Sequence, residues 1–327
     1  MSPDSNPFRQ WIQLEQPRLG TRATFATDEF FAAKERLIQT AEPVFVADKY
    51  DDHGKWMDGW ESRRRRTPGS DYCVIRLGVP GIVRGVDIDT SYFTGNYPPQ
   101  ASIDACVSDD DEPESGWTEI VPMTELSGDA HHYVAVDSEE VWSHLRLNIY
   151  PDGGVARLRI YGEVRPAIRE GEGVIDLAAL RNGGRALAAS DEHYGSMHNL
   201  NLPGRGANMG DGWETARRRG PGNDWVIIAL GQTGVVERVE VDTAHFKGNY
   251  PDRVSVEAAT FDSHDNALAD NAGWKTLLPE TKLQMDQQHY FESELERIAA
   301  VSHVRVSIYP DGGVSRVRIF GQVVEAG

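Results

Sequence analysis

The sequence predicts an all-β protein built as two tandem β-sandwiches, and three observations carry that prediction. The stretch Ile149 to Val164, IYPDGGVARLRIYGEV, returns as Ile308 to Val323, IYPDGGVSRVRIFGQV. A recurring segment marks a duplicated structural unit. The recurrence also extends over nearly the whole chain, since DGWESRRRRTPGSDYCVIRLG from Asp58 answers DGWETARRRGPGNDWVIIALG from Asp211, and DIDTSYFTGNYP from Asp87 answers EVDTAHFKGNYP from Glu240. Finally, the segments between turn signals are short and rich in β-branched residues, as many-stranded sandwiches require.

Taken in order, each unit opens on ATDEFF from Ala26 or ASDEHY from Ala189. The DGWE loop follows. Strand-like runs come next: YCVIRLG, RGVDIDTSYF, ASIDACVS, HLRLNIYP and ARLRIYGEV alternate or run apolar and are bounded by Gly, Pro or Asp. A tryptophan lies late in each unit, at Trp117 and Trp274. PDGG, between the last two runs, predicts a hairpin turn, because Pro fixes φ and Gly accepts positive φ. Only Asp28–Gln39, Ile175–Arg181 and Ser293–Val301 read as helical, and they are short. The expected boundaries are an N-terminal extension over 1–23, a first repeat over 24–165, a charged, glycine-containing linker over 166–175 and a second repeat over 176–327. This order of features resembles the jelly roll of galactose-binding-like, or discoidin-like, type.

Composition narrows the function. The 327 residues carry a formal net charge of −18, which repels phosphate backbones and anionic lipid. Nucleic acid and membrane surfaces are therefore not the expected partners. No apolar run is long enough to span a bilayer, and the first residues lack a basic region followed by an apolar core. Cys73 and Cys106 fall in strand-like segments and read as buried thiols rather than a disulfide framework. The expected compartment is the cytoplasm.

Two duplicated elements are candidates for chemistry. In the first, Asp58, Trp60, Glu61, Arg64, Arg65 and Arg66 recur as Asp211, Trp213, Glu214, Arg217, Arg218 and Arg219. Adjacent arginines in an acidic chain suit a carboxylate, which guanidinium forks bind in bidentate fashion. The competing reading pairs these arginines with Asp71 and Asp224 to hold the sandwich rim. In the second, Asn96 and Tyr97 recur as Asn249 and Tyr250 in a loop that follows a strand. An amide and a phenol can read a urea-like group, since together they donate and accept; the competing reading is a turn with a packed tyrosine. Here His245 and Lys247 replace Tyr92 and Thr94, so the second copy has the more titratable loop. Of the duplicated His132/His289 and His144/His303, a structural role is the expected one. No HExxH, paired CxxC or GxSxG occurs, so neither a metal nor a covalent nucleophile is signalled, and no cofactor is expected.

GDGWETARRR, VDTAHFKGNYP and HVRVSIYPDGGVSRVRIFG closely resemble the allantoicase (allantoate amidinohydrolase) family, and both copies carry these motifs in the same order. The first copy departs from the second in Ser62 for Thr215, Arg63 for Ala216 and Tyr92 for His245. The resemblance implies two tandem jelly rolls and the hydrolysis of allantoate to ureidoglycolate and urea in purine degradation. It implies a small anionic substrate and a homo-oligomer. Glu214, His245 and Glu61 are then the expected catalytic groups, with His245 the first choice of acid. Trp213, Arg217, Arg218, Arg219, Lys247, Asn249 and Tyr250, with Arg64, Arg65, Asn96 and Tyr97 in the first copy, are the expected substrate-binding groups. Two other readings stay open: a tandem jelly-roll module that binds a small anion or a carbohydrate without catalysis, and a hydrolase of a neighbouring ureide.

Overall fold

The computed structural model describes residues 6–166, 171, 173–269 and 273–324. Residues 1–5 of the expected extension and 167–170 and 172 of the expected linker lie outside the described residues. The chain divides into two compact units, Met1–Arg165 and Pro166–Gly327. In the first unit the strands are β1 Ile12–Gln13, β2 Arg22–Ala26, β3 Tyr50–Asp51, β4 Gly54–Lys55, β5 Trp60–Glu61, β6 Asp71–Asp89, β7 Gln100–Cys106, β8 Thr118–Glu125, β9 His131–Ala135, β10 Val141–Tyr150, β11 Gly154–Val155 and β12 Arg157–Val164. In the second they are β13 Val174–Asp176, β14 Arg185–Ala189, β15 Trp213–Glu214, β16 Asp224–Asp242, β17 Arg253–Ala259, β18 Lys275–Lys282, β19 Gln288–Phe291, β20 Val301–Tyr309, β21 Gly313–Val314 and β22 Arg316–Val323, with one short helix, α1 His264–Leu268. Each unit is an all-β sandwich of jelly-roll type.

One long strand organises each sandwich. The first part of β6, Cys73–Arg76, lies between β2 and β10, and β10 continues to β7 and β8. Its last part, Gly85–Asp89, lies between β9 and β12, and β1 edges β12. Thus Ile12–Gln13, in the stretch set apart in the sequence as an extension, is an edge strand of this sheet. The strand β16 repeats the plan with β14, β20, β17 and β18 along its first part and β19, β22 and β13 along its last. Alternation drives the layering: Leu145, Leu147 and Ile149 of β10 are fully buried, while Arg146 between them turns outward and lies 4.6 Å from the centre of the Trp117 ring. Burying each such aliphatic side chain contributes about 1.5–3 kcal/mol. Cys73 and Cys106 are buried free thiols.

Four sequence expectations are corrected. The IYPDGG segment does not close a hairpin, because β10 and β12 pair with opposite parts of β6 and not with each other. It is an arch between the two parts of the sheet. Its glycines leave the arch to form β11 and β21, which pair with the WE dipeptides of β5 and β15. Gly312 needs to be glycine twice over: its φ is 135°, and a Cβ there would lie 2.6 Å from the Asn249 carbonyl oxygen. The expected helix at Asp28–Gln39 is only a 3₁₀ turn over Lys34–Ile38, and Ile175–Arg181 divides between β13 and a 3₁₀ turn over Leu180–Asn182. Ser293–Val301 is irregular until β20 begins. Such short stretches do not hold a helix alone, and edge pairing or loop packing decides their form.

A polar layer ties the DGW loops to the sheet. Arg157, wholly buried, donates from Nη2 to Asp58 Oδ2 at 2.9 Å, from Nη1 to the Asp58 carbonyl at 3.0 Å and from Nε to the Ala41 carbonyl at 3.0 Å. Arg316 does the same for Asp211 and the Gly204 carbonyl. The neighbouring buried aspartates are neutralised differently in the two units. Arg205 forks onto Asp242 at 2.8 and 3.0 Å. In the first unit His131 Nδ1 takes that place, 2.7 Å from Asp87 Oδ2 and 4.0 Å from Asp89 Oδ1. The hydrogen bond to Asp87 raises the His131 pKa to about 9, so the imidazole is charged at neutral pH. A folded-state value above the unfolded one gives stability that is complete below pH ~6.5 and lost as pH rises through about 9. His131→Gln, which installs the residue found at Gln288 of the second unit, is expected to flatten the fall in Tm between pH 7 and 10 seen in the parent. Parallel Tm profiles for the two proteins would remove His131 from this role.

Candidate active site

The site of the second unit is built from the β15–β21 pairing, which sets Trp213 opposite Val314 and Glu214 opposite Gly313. Successive strand residues face opposite ways. Trp213 enters the core, fully buried, and its Nε1 donates to the Asp191 carbonyl at 2.8 Å. Glu214 faces a cleft of about 620 Å³, lined also by Tyr194, Thr215, Arg217, Arg219, Asn249 and Tyr250. Asn249 reaches across from the loop after β16 and donates from Nδ2 to Glu214 Oε1. The arch fixes that loop in turn, since Gly313 N–H donates to the Asn249 carbonyl at 2.8 Å.

The same arch sorts the three arginines. Thr215 N–H donates to the Gly312 carbonyl at 3.2 Å, and Arg218 N–H donates to Asp311 Oδ2 at 2.8 Å. The Arg218 guanidinium then pairs with the buried Asp224 carboxylate. Arg217 and Arg219, on either side, point the other way into the cleft and are exposed. Neither makes a hydrogen bond or ion pair with any described residue. Two guanidiniums without a partner among the described residues, in a chain of net charge −18, are groups that can take an anion.

The carboxyls of the cleft differ in freedom. Asp252 pairs with Lys282 and with Arg253, and Asp311 is held by the Arg218 amide. Among the described residues the Glu214 carboxyl has only the Asn249 amide as a partner, so it is the least committed carboxyl of the cleft. Among the described residues no group of three or more His, Cys, Asp or Glu side chains could hold a metal ion.

The structure therefore brings together Glu214, Arg217, Arg219, Asn249 and Tyr250 and separates the other second-copy candidates from them. Trp213 is core. Arg218 is committed to Asp224. His245 and Lys247 do not line the cleft: His245 Nε2 lies 2.8 Å from the Gly206 carbonyl, its backbone N–H donates to Asp286 Oδ1, and Lys247 lies 3.6 Å from Asp286. The His245 backbone has a φ of 70°. In the first unit Asn96 donates to Glu61 Oε1 at 2.8 Å, Arg65 pairs with Asp71 at 2.6 Å, Tyr97 is half-buried and Arg64 is exposed. Burial raises the pKa of Glu61. Sequence reasoning missed Tyr194, Thr215 and Asp311. Asp311 was visible as part of the duplicated PDGG, where it reads as a turn residue, and Tyr194 stands in the unit-opening ASDEHY.

Comparison with known proteins matches the two-repeat organisation of the chain. The profile of the allantoicase repeat matches twice, at residues 12–165 and 175–324. A protein of Burkholderia pseudomallei described as probable allantoicase 2 is 55% identical over 330 residues, 99% of this chain and 98% of its own. A probable allantoicase of Ralstonia nicotianae is 54% identical over 328 residues, 98% of each chain. The crystal structure of the Saccharomyces cerevisiae allantoicase superposes with a TM-score of 0.79 at 38% identity, covering 95% of this chain and 92% of the yeast one.

The different fates of the arginines have a stability consequence. Arg218→Ala leaves the buried Asp224 carboxylate without its cation and is expected to cost about 3 kcal/mol in denaturant unfolding. Arg219→Ala, which removes an unpaired exposed group, is expected to stay within about 0.5 kcal/mol of the parent. Equal losses would contradict the sorting.

Proposed function

The chain belongs to the allantoicase family, its activity is the hydrolysis of allantoate to ureidoglycolate and urea, and we propose that the cleft of the second repeat carries this out. The observation behind the proposal is the pair of unpaired guanidiniums beside a carboxylate held by an asparagine amide. Allantoate is one carbon bearing a hydrogen, a carboxylate and two ureido groups. Arg217 and Arg219 bind the carboxylate as a charge-assisted fork. Tyr250 and Tyr194 offer phenol donors to the ureido carbonyls.

The reaction breaks one carbon–nitrogen bond and adds water across it. Urea anion is a poor leaving group, so the departing nitrogen takes a proton as the bond breaks. Glu214 relays that proton. Its carboxylate accepts a proton from the attacking water as oxygen bonds to the central carbon, and the carboxylic acid so formed delivers it to the departing nitrogen. The hydroxyl stays on carbon, urea leaves neutral, and Glu214 returns to its starting state. Asn249 positions the carboxylate for both steps. His245, outside the cleft, has no part in this relay. The protein is further proposed to work in the cytoplasm as a homo-oligomer. Buried free thiols support the first. The exposed apolar group Val44, Phe45, Val46 and Tyr50 supports the second. No helix among the described residues is long and apolar enough to cross a membrane.

Urea release from allantoate, with both products followed, tests this reading. Glu214→Gln is expected to lower kcat by about 10²–10⁴-fold with little change in KM, the usual range for losing an acid–base group. Arg217→Ala and Arg219→Ala are each expected to raise KM by roughly tenfold, the loss of one charged hydrogen bond. His245→Gln is expected to lower kcat far less than Glu214→Gln does. Full activity in Glu214→Gln would remove Glu214 from the relay, and absence of urea release by the parent would overturn the activity.

A further inference from the structure

The first repeat keeps the frame of the second repeat's cleft, contact for contact. Ser62 N–H donates to the Gly153 carbonyl at 3.1 Å, as Thr215 does to Gly312 at 3.2 Å. Arg65 N–H donates to Asp152 Oδ2 at 2.8 Å, as Arg218 does to Asp311 at 2.8 Å. The Arg65 guanidinium takes the buried Asp71, as Arg218 takes Asp224. Gly154 N–H fixes the Asn96 carbonyl at 2.7 Å, and Asn96 Nδ2 holds Glu61 Oε1. Since these contacts direct Arg217 and Arg219 to one side of the second-repeat loop, they direct Arg64 and Arg66 to the same side of the first. Both are exposed, and neither has a hydrogen bond or ion pair with any described residue.

What the first repeat lacks is the rest of the machinery. Phe31 stands where Tyr194 stands, without the phenol, and Pro99 stands where Asp252 stands, without the carboxylate. The chain between Asp28 and Asp58 is longer than that between Asp191 and Asp211 and carries the β3–β4 hairpin. Phe30, beside Phe31, packs on His53 of that hairpin with ring centres 4.3 Å apart. Glu61 is 9% exposed, whereas Glu214 is half-buried and lines the cleft. The anion-binding groups remain open to solvent while the proton-relaying carboxyl is covered.

We propose that the loops bearing Arg64, Arg66 and the Glu61–Asn96 pair form a second site, which holds a small ureido carboxylate without hydrolysing it. The ligand class rests on the reading of the second-repeat cleft. The site gives each chain two places for such acids, one that turns them over and one that only binds.

Ureidoacetate, which carries the carboxylate and one ureido group, is the probe. Calorimetric titration of the full chain is expected to show two molecules bound per chain. Arg64→Ala/Arg66→Ala is expected to reduce this to one, Arg217→Ala/Arg219→Ala likewise to the other one, and the four substitutions together to none. The substituted arginines are exposed and unpaired, so thermal unfolding is expected to stay near the parent's and report intact folding. One molecule or none bound by the parent, or two retained by Arg64→Ala/Arg66→Ala, overturns the proposal. Urea release measured on the same proteins separates this failure from that of the main reading. If the parent releases urea and binds a single ureidoacetate that Arg217→Ala/Arg219→Ala abolishes, only the second site falls. If urea release is lost in Arg64→Ala/Arg66→Ala and kept in Arg217→Ala/Arg219→Ala, the second-repeat cleft falls as well.

Discussion

A buried arginine holds each candidate site in place. Arg316 sits on β22 with 1% of its surface exposed and takes the carboxylate and carbonyl of Asp211 and the carbonyl of Gly204. Arg157 does the same on β12 for Asp58 and Ala41. A guanidinium at such depth is tolerable only when paired and hydrogen-bonded. These contacts attach the DGW loop to the last strand of its sandwich. Trp213 and Trp60 then enter the core from that loop and turn the adjacent glutamates to the opposite face, where Glu214 lines the cleft and Glu61 stays covered. The buried ion pair and the β15–β21 pairing together fix the loop from which the glutamate projects.

From that anchor the site follows by alternation and by one turn. The PDGG arch supplies Asp311 and Gly312, which fix the backbone of Thr215 and Arg218. With Arg218 tied to Asp224, its two neighbours are left on the opposite side of an extended chain. Three arginines in a row are therefore one structural cation and two guanidiniums left facing the cleft, the pair proposed to bind the substrate. Of the two readings offered for this run in the sequence, the ion-paired rim describes Arg218, and the carboxylate clamp is the role proposed for its two neighbours.

The duplication, the all-β class and the nearness of a glutamate to the arginine run were legible because they rest on local sequence: repeated motifs, β-branched runs and residue chemistry. What was not legible depended on direction. Trp213 and Glu214 are neighbours in sequence but lie on opposite faces, so the tryptophan that looked like a binding group is core. His245 has the right chemistry, but its ring lies on the Gly206 carbonyl, outside the cleft. PDGG looked like a hairpin because its local turn chemistry is that of one; strand pairing across β16 is a long-range fact that no local pattern reports. Tyr194 was hidden for the same reason, since its place in the cleft comes from a backbone contact between Tyr194 and Glu214.

The claim on which the rest turns is that Arg217, Arg219 and Glu214 act on one molecule. The most direct measurement is a crystal structure of the Glu214→Gln protein soaked with allantoate. The account predicts the substrate carboxylate between the Arg217 and Arg219 guanidiniums, with the central carbon facing the side chain at position 214 and a ureido group near Tyr250. A carboxylate bound instead beside His245 and Lys247, with the arginine cleft empty, would contradict it.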